Sequence, residues 1–318
     1  TGPEETIVEV LATVKSEGKQ PSAAYKSTGS SLDERWNVIS GGGSALTDWY
    51  PFGRYVKLAV TNWDHFIFDG RAWTAYSAGH RLALQAAERA FQGNRSDSDL
   101  APFVYEAFAQ HFLTDMFSSG HMRTPRKIFH TNCTPSKVGD YLARYMHDED
   151  CLFGLNVTNK NGDRWTAYGD KRYMDDVNRD SRVVTAACVQ AAVNEVAEVM
   201  RTGRVASGAS VSELASDDFA AAACVPIVDE INSFVPMFKW DGTQLLRRDD
   251  LNNLGDDTFK EHGGIHGWWS ATTLTELEVL YGPPADLPPF PNNTLAQAIA
   301  MQQRWRLQGL NEVGQPEL

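Results

Sequence analysis

The sequence predicts a mainly α-helical protein with one small β-hairpin and long loops. Three observations carry that reading. Apolar and small residues recur at helical spacing over four long stretches, caps and breakers stand at the ends of those stretches, and only one stretch alternates with a period of two. The first helix is expected over 71–91, where Tyr76, Ala83, Ala87 and Ala90 share a face with His80 and Gly93 follows as terminator. A second is expected from an N-cap at Ser98 or Asp99, with Pro102 in its first turn, through Phe103, Val104, Ala107, Phe108 and Phe112 to Gly120. The third starts at Thr134 with Pro135 in first position and reaches His147 through Val138, Tyr141, Leu142 and Tyr145. The fourth runs from Val183 to Arg201 and stops at Gly203. Between the third and fourth, the alternation from Gly154 to Tyr168 around Asn161-Gly162 marks the hairpin. Beyond Gly282-Pro283-Pro284 a last helix is expected from about Leu295 to Leu307, and the opening residues are expected to form an irregular arm. The domain reading is therefore an arm over 1–60 packed on a single helical domain over 61–318.

A chain of 318 residues that is 42% hydrophobic is long enough to bury a sizeable core. Its formal charge of -12 offers no basic surface for a polyphosphate, so nucleic acid is not the expected partner, and no obligate protein partner is inferred. No apolar run approaches the roughly 20 residues of a membrane span, and the first residues lack a basic, apolar signal pattern, as expected of a processed mature form. Cys133, Cys151, Cys188 and Cys224 allow two disulfides in any of three pairings, and sequons begin at Asn94, Asn132, Asn156 and Asn292. Together these favour a secreted, extracellular or periplasmic protein.

The chemistry concentrates between His65 and His147, which bracket six of the eight histidines. His111 and Asp115, four apart, share a helix face and can share a metal, and a helix ending at Gly120 lets His121 turn towards a second ion. Imidazole with carboxylate and no thiolate suits a hydrolytic zinc site better than a structural one. The alternative for His111 and Asp115 is a simple pairing on a half-buried face.

The order Asp64, His80, His111-x3-Asp115-x5-His121, His147 resembles the ligand series of the zinc-dependent phospholipase C and S1/P1 nuclease superfamily. The text around it, Asn62-Trp63-Asp64-His65-Phe66 and Ala109 to Arg126 above all, is similar to the bacterial phosphatidylcholine-hydrolysing branch, and the likeness covers about 62 to 170. The resemblance implies a phospholipase C/P1 nuclease-like helical bundle holding two to three zinc ions. It places Asp64, His80, His111 and Asp115 on a first zinc and His121 and His147 on a second, with Asp64 also the general base. The family's acid four residues past the last histidine is here Cys151, so Asp150 is the expected ligand, with Asp148, Glu149 and the Cys151 thiolate behind it. The family's third zinc uses an N-terminal tryptophan and a nearby histidine, whereas residue 1 is Thr and no histidine precedes His65. His65 either replaces a ligand or orients Asp64.

The activity so implied is hydrolysis of phosphatidylcholine-like phospholipid, at a membrane or lipid-aggregate surface, to diacylglycerol and a phosphorylated head group. The alternatives are an S1/P1-like nuclease or 3'-nucleotidase using the same metals, and a non-catalytic zinc-binding protein. For the substrate, Trp63 and Phe66, or Trp268-Trp269, either face the head group or lie in the core, and Arg123 and Arg126 either clamp phosphate or pair at the surface. His262 and His266, separated by Gly263, Gly264 and Ile265, are expected in a loop.

Overall fold

A computed structural model describes residues 61–93, 100–134, 136–169, 172–261 and 268–281. The expected arm over 1–60, the N-cap at Ser98 or Asp99, Pro135, the His262–His266 pair and the helix near Leu295–Leu307 lie outside these residues, as do the sequons at Asn94 and Asn292.

The protein is mainly helical. Among the described residues the helices are α1 (Arg71–Phe91), α2 (Ala101–Asp115), α3 (Ser119–Met122), α4 (Arg126–Asn132), α5 (Ser136–Phe153), α6 (Arg179–Thr202) and α7 (Trp268–Tyr281). Short 3-10 turns at Trp63–His65 and Phe68–Gly70 precede α1. The expected hairpin is present as β1 (Leu155–Thr158) and β2 (Arg164–Ala167), antiparallel with Leu155 opposite Ala167, and β3 (Ile227–Val228) adds a third strand on the other side of β1. A second antiparallel sheet, β4 (Phe238–Trp240), β5 (Leu245–Arg248) and β6 (Phe259–Glu261), was not foreseen from the sequence, because its strands are only three or four residues long and show too few alternations to register.

α1 buries Tyr76, His80, Ala83, Leu84 and Ala87, the face that the spacing predicts. It crosses α2 closely: a Cβ on Gly79 would stand 2.8 Å from the Ala109 Cβ, so glycine here sets the approach of the two backbones. That approach brings His80 opposite Glu106 of α2. Further along the same face, Leu113 and, just past the helix, Met116 join Phe153, Val157 and Trp165 in a continuous core, and each such side chain contributes about 1.5–3 kcal/mol by leaving water. A second cluster gathers Phe129, Leu142, Tyr145 and Phe238 with Leu277 and Tyr281 of α7.

The second helix does not run on to Gly120. It stops at Asp115, the Phe117 and Ser118 amides close a tight turn onto Thr114 and Asp115, and Ser118 turns extended before α3 begins. The turn lets adjacent Met116 and Phe117 both reach the core while the Ser119 hydroxyl donates to the Asp150 carbonyl at 2.7 Å.

α6 shares its buried face with α1 and with the turn at Ala220–Ala223, to which it is tied by the disulfide Cys188–Cys224; Cys133 and Cys151 are buried and free. The segment Asp176–Thr202 is long and apolar enough to cross a bilayer by length and composition, in contrast to the reading of the sequence. Its buried Thr185, Cys188, Ala192 and Val196 pack into the protein interior. The sequon at Asn156 is closed, since that side chain is buried and its amide donates to the Asn232 carbonyl.

Candidate metal centre

Four imidazoles run in a row across the mouth of the 3-10 turn, α2, α3 and α5. The His111 and His65 rings are 4.6 Å apart between centroids, His65 and His121 6.5 Å, and His121 and His147 5.1 Å. Asp115 faces three of them. Its Oδ2 is 2.6 Å from His65 Nδ1, 3.8 Å from His111 Nε2 and 3.9 Å from His121 Nδ1. One ligand atom each from His65, His111 and Asp115 falls within 4.8 Å of the others, which is the spacing of a three-ligand metal site. Two imidazoles and a carboxylate, with His111 half exposed, match the donor set of a catalytic zinc that keeps one position open.

The break after Asp115 and the four-residue α3 put His121 beside this group. Its Nδ1–H donates to the His65 carbonyl at 3.1 Å, so a neutral ring carries its lone pair on Nε2, and Phe66 stacks behind it at 4.7 Å. His147 is held in the same way, with Asp148 accepting from its Nδ1 at 3.0 Å. A carboxylate on the far nitrogen is the arrangement that orients metal-binding imidazoles. Gly120 makes this approach possible, because a Cβ there would collide with the His147 ring and stand 2.6 Å from the Cys151 sulfur. Asp64 stands at the open side, its side chain more than half exposed and Oδ1 3.8 Å from His65 Nε2.

The four residues after His147 divide into separate tasks. Asp148 orients His147. Glu149 is fully buried in a two-pronged ion pair with Arg248, at 2.7 and 3.1 Å. Asp150, the expected ligand, is fully buried against Arg123, which donates to it at 2.8 Å and also reaches the Phe234 carbonyl. Burial pushes both carboxyls upward while the arginines hold them back. Asp150 is thus a structural counter-ion. Cys151 packs on the His147 ring, its sulfur 3.7 Å from Nε2.

His80 is also placed differently from the expectation. It is sealed between α1, α2 and α6, with Nδ1 2.6 Å from Glu106 and Nε2 3.0 Å from Glu195, so both nitrogens are taken by carboxylates. Burial alone would lower its pKa, but the hydrogen bonds and charges of Glu106 and Glu195 reverse that and raise it above 6.5. Tyr76 stacks on the ring at 5.2 Å, and its buried hydroxyl has no hydrogen-bond partner among the described residues.

The expectations for the substrate-facing residues also shift. Arg123 and Arg126 do not stand open to clamp phosphate, since Arg123 pairs with Asp150 and Arg126 with Asp140. Phe66 is a wall behind His121, and Trp63 packs beside His130 with Lys127 over its face. Sequence reading missed Glu106 and Glu195, which lie 26 and 115 residues from His80 with no local signal. It also missed the His130–Asp140 pair at 2.9 Å, formed across the α4–α5 turn. No protein-family model, curated protein or solved structure matches the chain.

Proposed function

We propose that the chain is a secreted zinc hydrolase of phosphate diesters whose substrate is a phosphatidylcholine-like phospholipid, cut on the phospholipase C side. The observation that carries this reading is the half-open row of His111, His65, His121 and His147 around Asp115. His65, His111 and Asp115 would hold a first zinc, and His121 with His147 a second. Zinc, when bound, supplies positive charge for the phosphoryl oxygens and acidifies water. The side chains do the rest. Asp148 and the His65 carbonyl keep His147 and His121 in the tautomer with Nε2 unprotonated. Asp64, exposed at the open side, accepts the proton of the attacking water at a carboxylate oxygen as the water oxygen bonds to phosphorus. The phosphorus–glycerol oxygen bond then breaks, and the proton passes to the diacylglycerol oxygen. The buried disulfide supports secretion, since such bonds persist in oxidising compartments.

Mass spectrometry of the purified protein for metal, together with phosphate-ester release from phosphatidylcholine and from RNA, tests the proposal. Two or more zinc ions with lipid cleavage abolished in Asp115→Asn are expected. Cleavage of RNA alone would make the protein a nuclease, and an inert, metal-free protein would end the hydrolase reading.

A further inference from the structure

Behind the histidine row lies an open cavity of about 530 Å³, within the range of small-molecule sites. Three of its wall segments are the immediate neighbours of the histidines. Ile67 and Phe68 follow His65, Met122 and Arg123 follow His121, and Met146 precedes His147. The Ile67 amide donates to the His121 carbonyl at 2.8 Å, so cavity and histidine row share a wall one residue thick. The opposite wall comes from β3 and β4, with Val228, Phe238 and Trp240.

We propose that this cavity holds one hydrocarbon chain of the lipid substrate, an inference that rests on the phospholipase reading above. Ten of the thirteen lining residues are apolar, and the three charged ones are already engaged. Arg123 is buried against Asp150 at 2.8 Å, Glu230 is exposed and lies 3.4 Å from Arg123, and exposed Lys239 sits over the Phe259 ring at 3.8 Å. The one buried charge in the wall, Arg123, is already paired with Asp150, and Glu230 and Lys239 stand at the exposed rim, so an uncharged chain displaces water from apolar wall at no electrostatic cost. The position one residue from the histidines fits a substrate whose phosphate is at the metals and whose chain is beside them.

The zinc-loaded full chain is titrated with n-alkyl phosphocholines from hexyl to dodecyl below their aggregation concentrations, following fluorescence with a Trp240→Phe control. Affinity is expected to rise about fourfold per methylene until the cavity is full. Val228→Trp, which fills the cavity from β3, is expected to flatten that series and to raise the ratio of KM for long-chain phosphatidylcholine to KM for chainless p-nitrophenyl phosphocholine. A flat series in the wild type, or a slope that survives Val228→Trp, overturns the proposal. Failure of the wild type to hydrolyse either substrate, with the binding slope intact, instead overturns the phospholipase reading and leaves a chain-binding cavity.

Discussion

The protein holds imidazole and carboxylate together in two places, and the two places are built to opposite ends. In the row around Asp115 the burial grades from the half-exposed His111 to the buried His121, and His121 and His147 are each turned by a partner on Nδ1. In the group around His80 both nitrogens end on carboxylates, and the ring is fully buried. The same residue types line a partly open cluster in one place and tie three helices together in the other. What separates the two is enclosure: the acids of His80 come from two neighbouring helices that seal the ring, whereas His65 meets Asp115 and the exposed Asp64 nearer the surface.

The comparison breaks most visibly at His80. His80→Ala leaves Glu106 and Glu195 buried without the cation between them, and a loss of about 3–5 kcal/mol in urea unfolding is expected, with zinc content unchanged in whatever protein remains folded. His111→Ala, at a half-exposed ring, should do the converse: stability within about 0.5 kcal/mol of the parent and a lost metal. If both variants behaved alike, the distinction between the two groups would fall.

Gly120→Ala comes next. The new methyl meets the His147 ring and Cys151, and rearrangement of a packed site costs typically about 1–3 kcal/mol. The expected signature is loss of one zinc with the other retained, read by metal analysis.

pH sharpens the contrast further. Because the folded His80 pKa lies above its unfolded value near 6.5, folding takes up its proton. The stability from this group is complete below pH 6.5 and fades as pH climbs through the raised folded value. Thermal unfolding of the parent should show this decline on the alkaline side, and His80→Asn should remove that component.

The smallest expected effect is at Asp148, which orients His147 and pairs with Arg144 one turn back. Asp148→Asn should weaken zinc at His147 by about tenfold, measured by competition with a chelator, without a change in fold.

These distinctions also mark what the sequence could tell. The faces of α1 and α5, the presence of α2 and α6, the hairpin, and the adjacency of His111 to Asp115 follow from local periodicity, and the structure has them; the expected face of α2 is turned, with Val104, Ala107 and Phe108 exposed and Glu106, Ala109 and Leu113 buried. The fate of Asp150 does not: i+3 spacing puts it near His147, but Arg123, 27 residues back, claims it from another element. Glu149 likewise answers to Arg248, 99 residues on. His80 reads from the sequence as the second member of a ligand series, because its two acids lie on other helices and leave no local sign. The early end of α2 was hidden because its breaker is the tertiary demand of Met116 and Phe117, both apolar and equally at home in a helix.

The disulfide ties the sealed group to the laboratory bench. Cys224 anchors the turn whose Ala220 amide donates to Glu195 and whose neighbour Phe219 lies edge-on to the His80 ring. The redox conditions under which the chain folds therefore reach further than Cys133 and Cys151. Wherever Cys188 and Cys224 are kept from joining, as in a chain folded in a reducing cytosol, the His80 group would be assembled without its clasp.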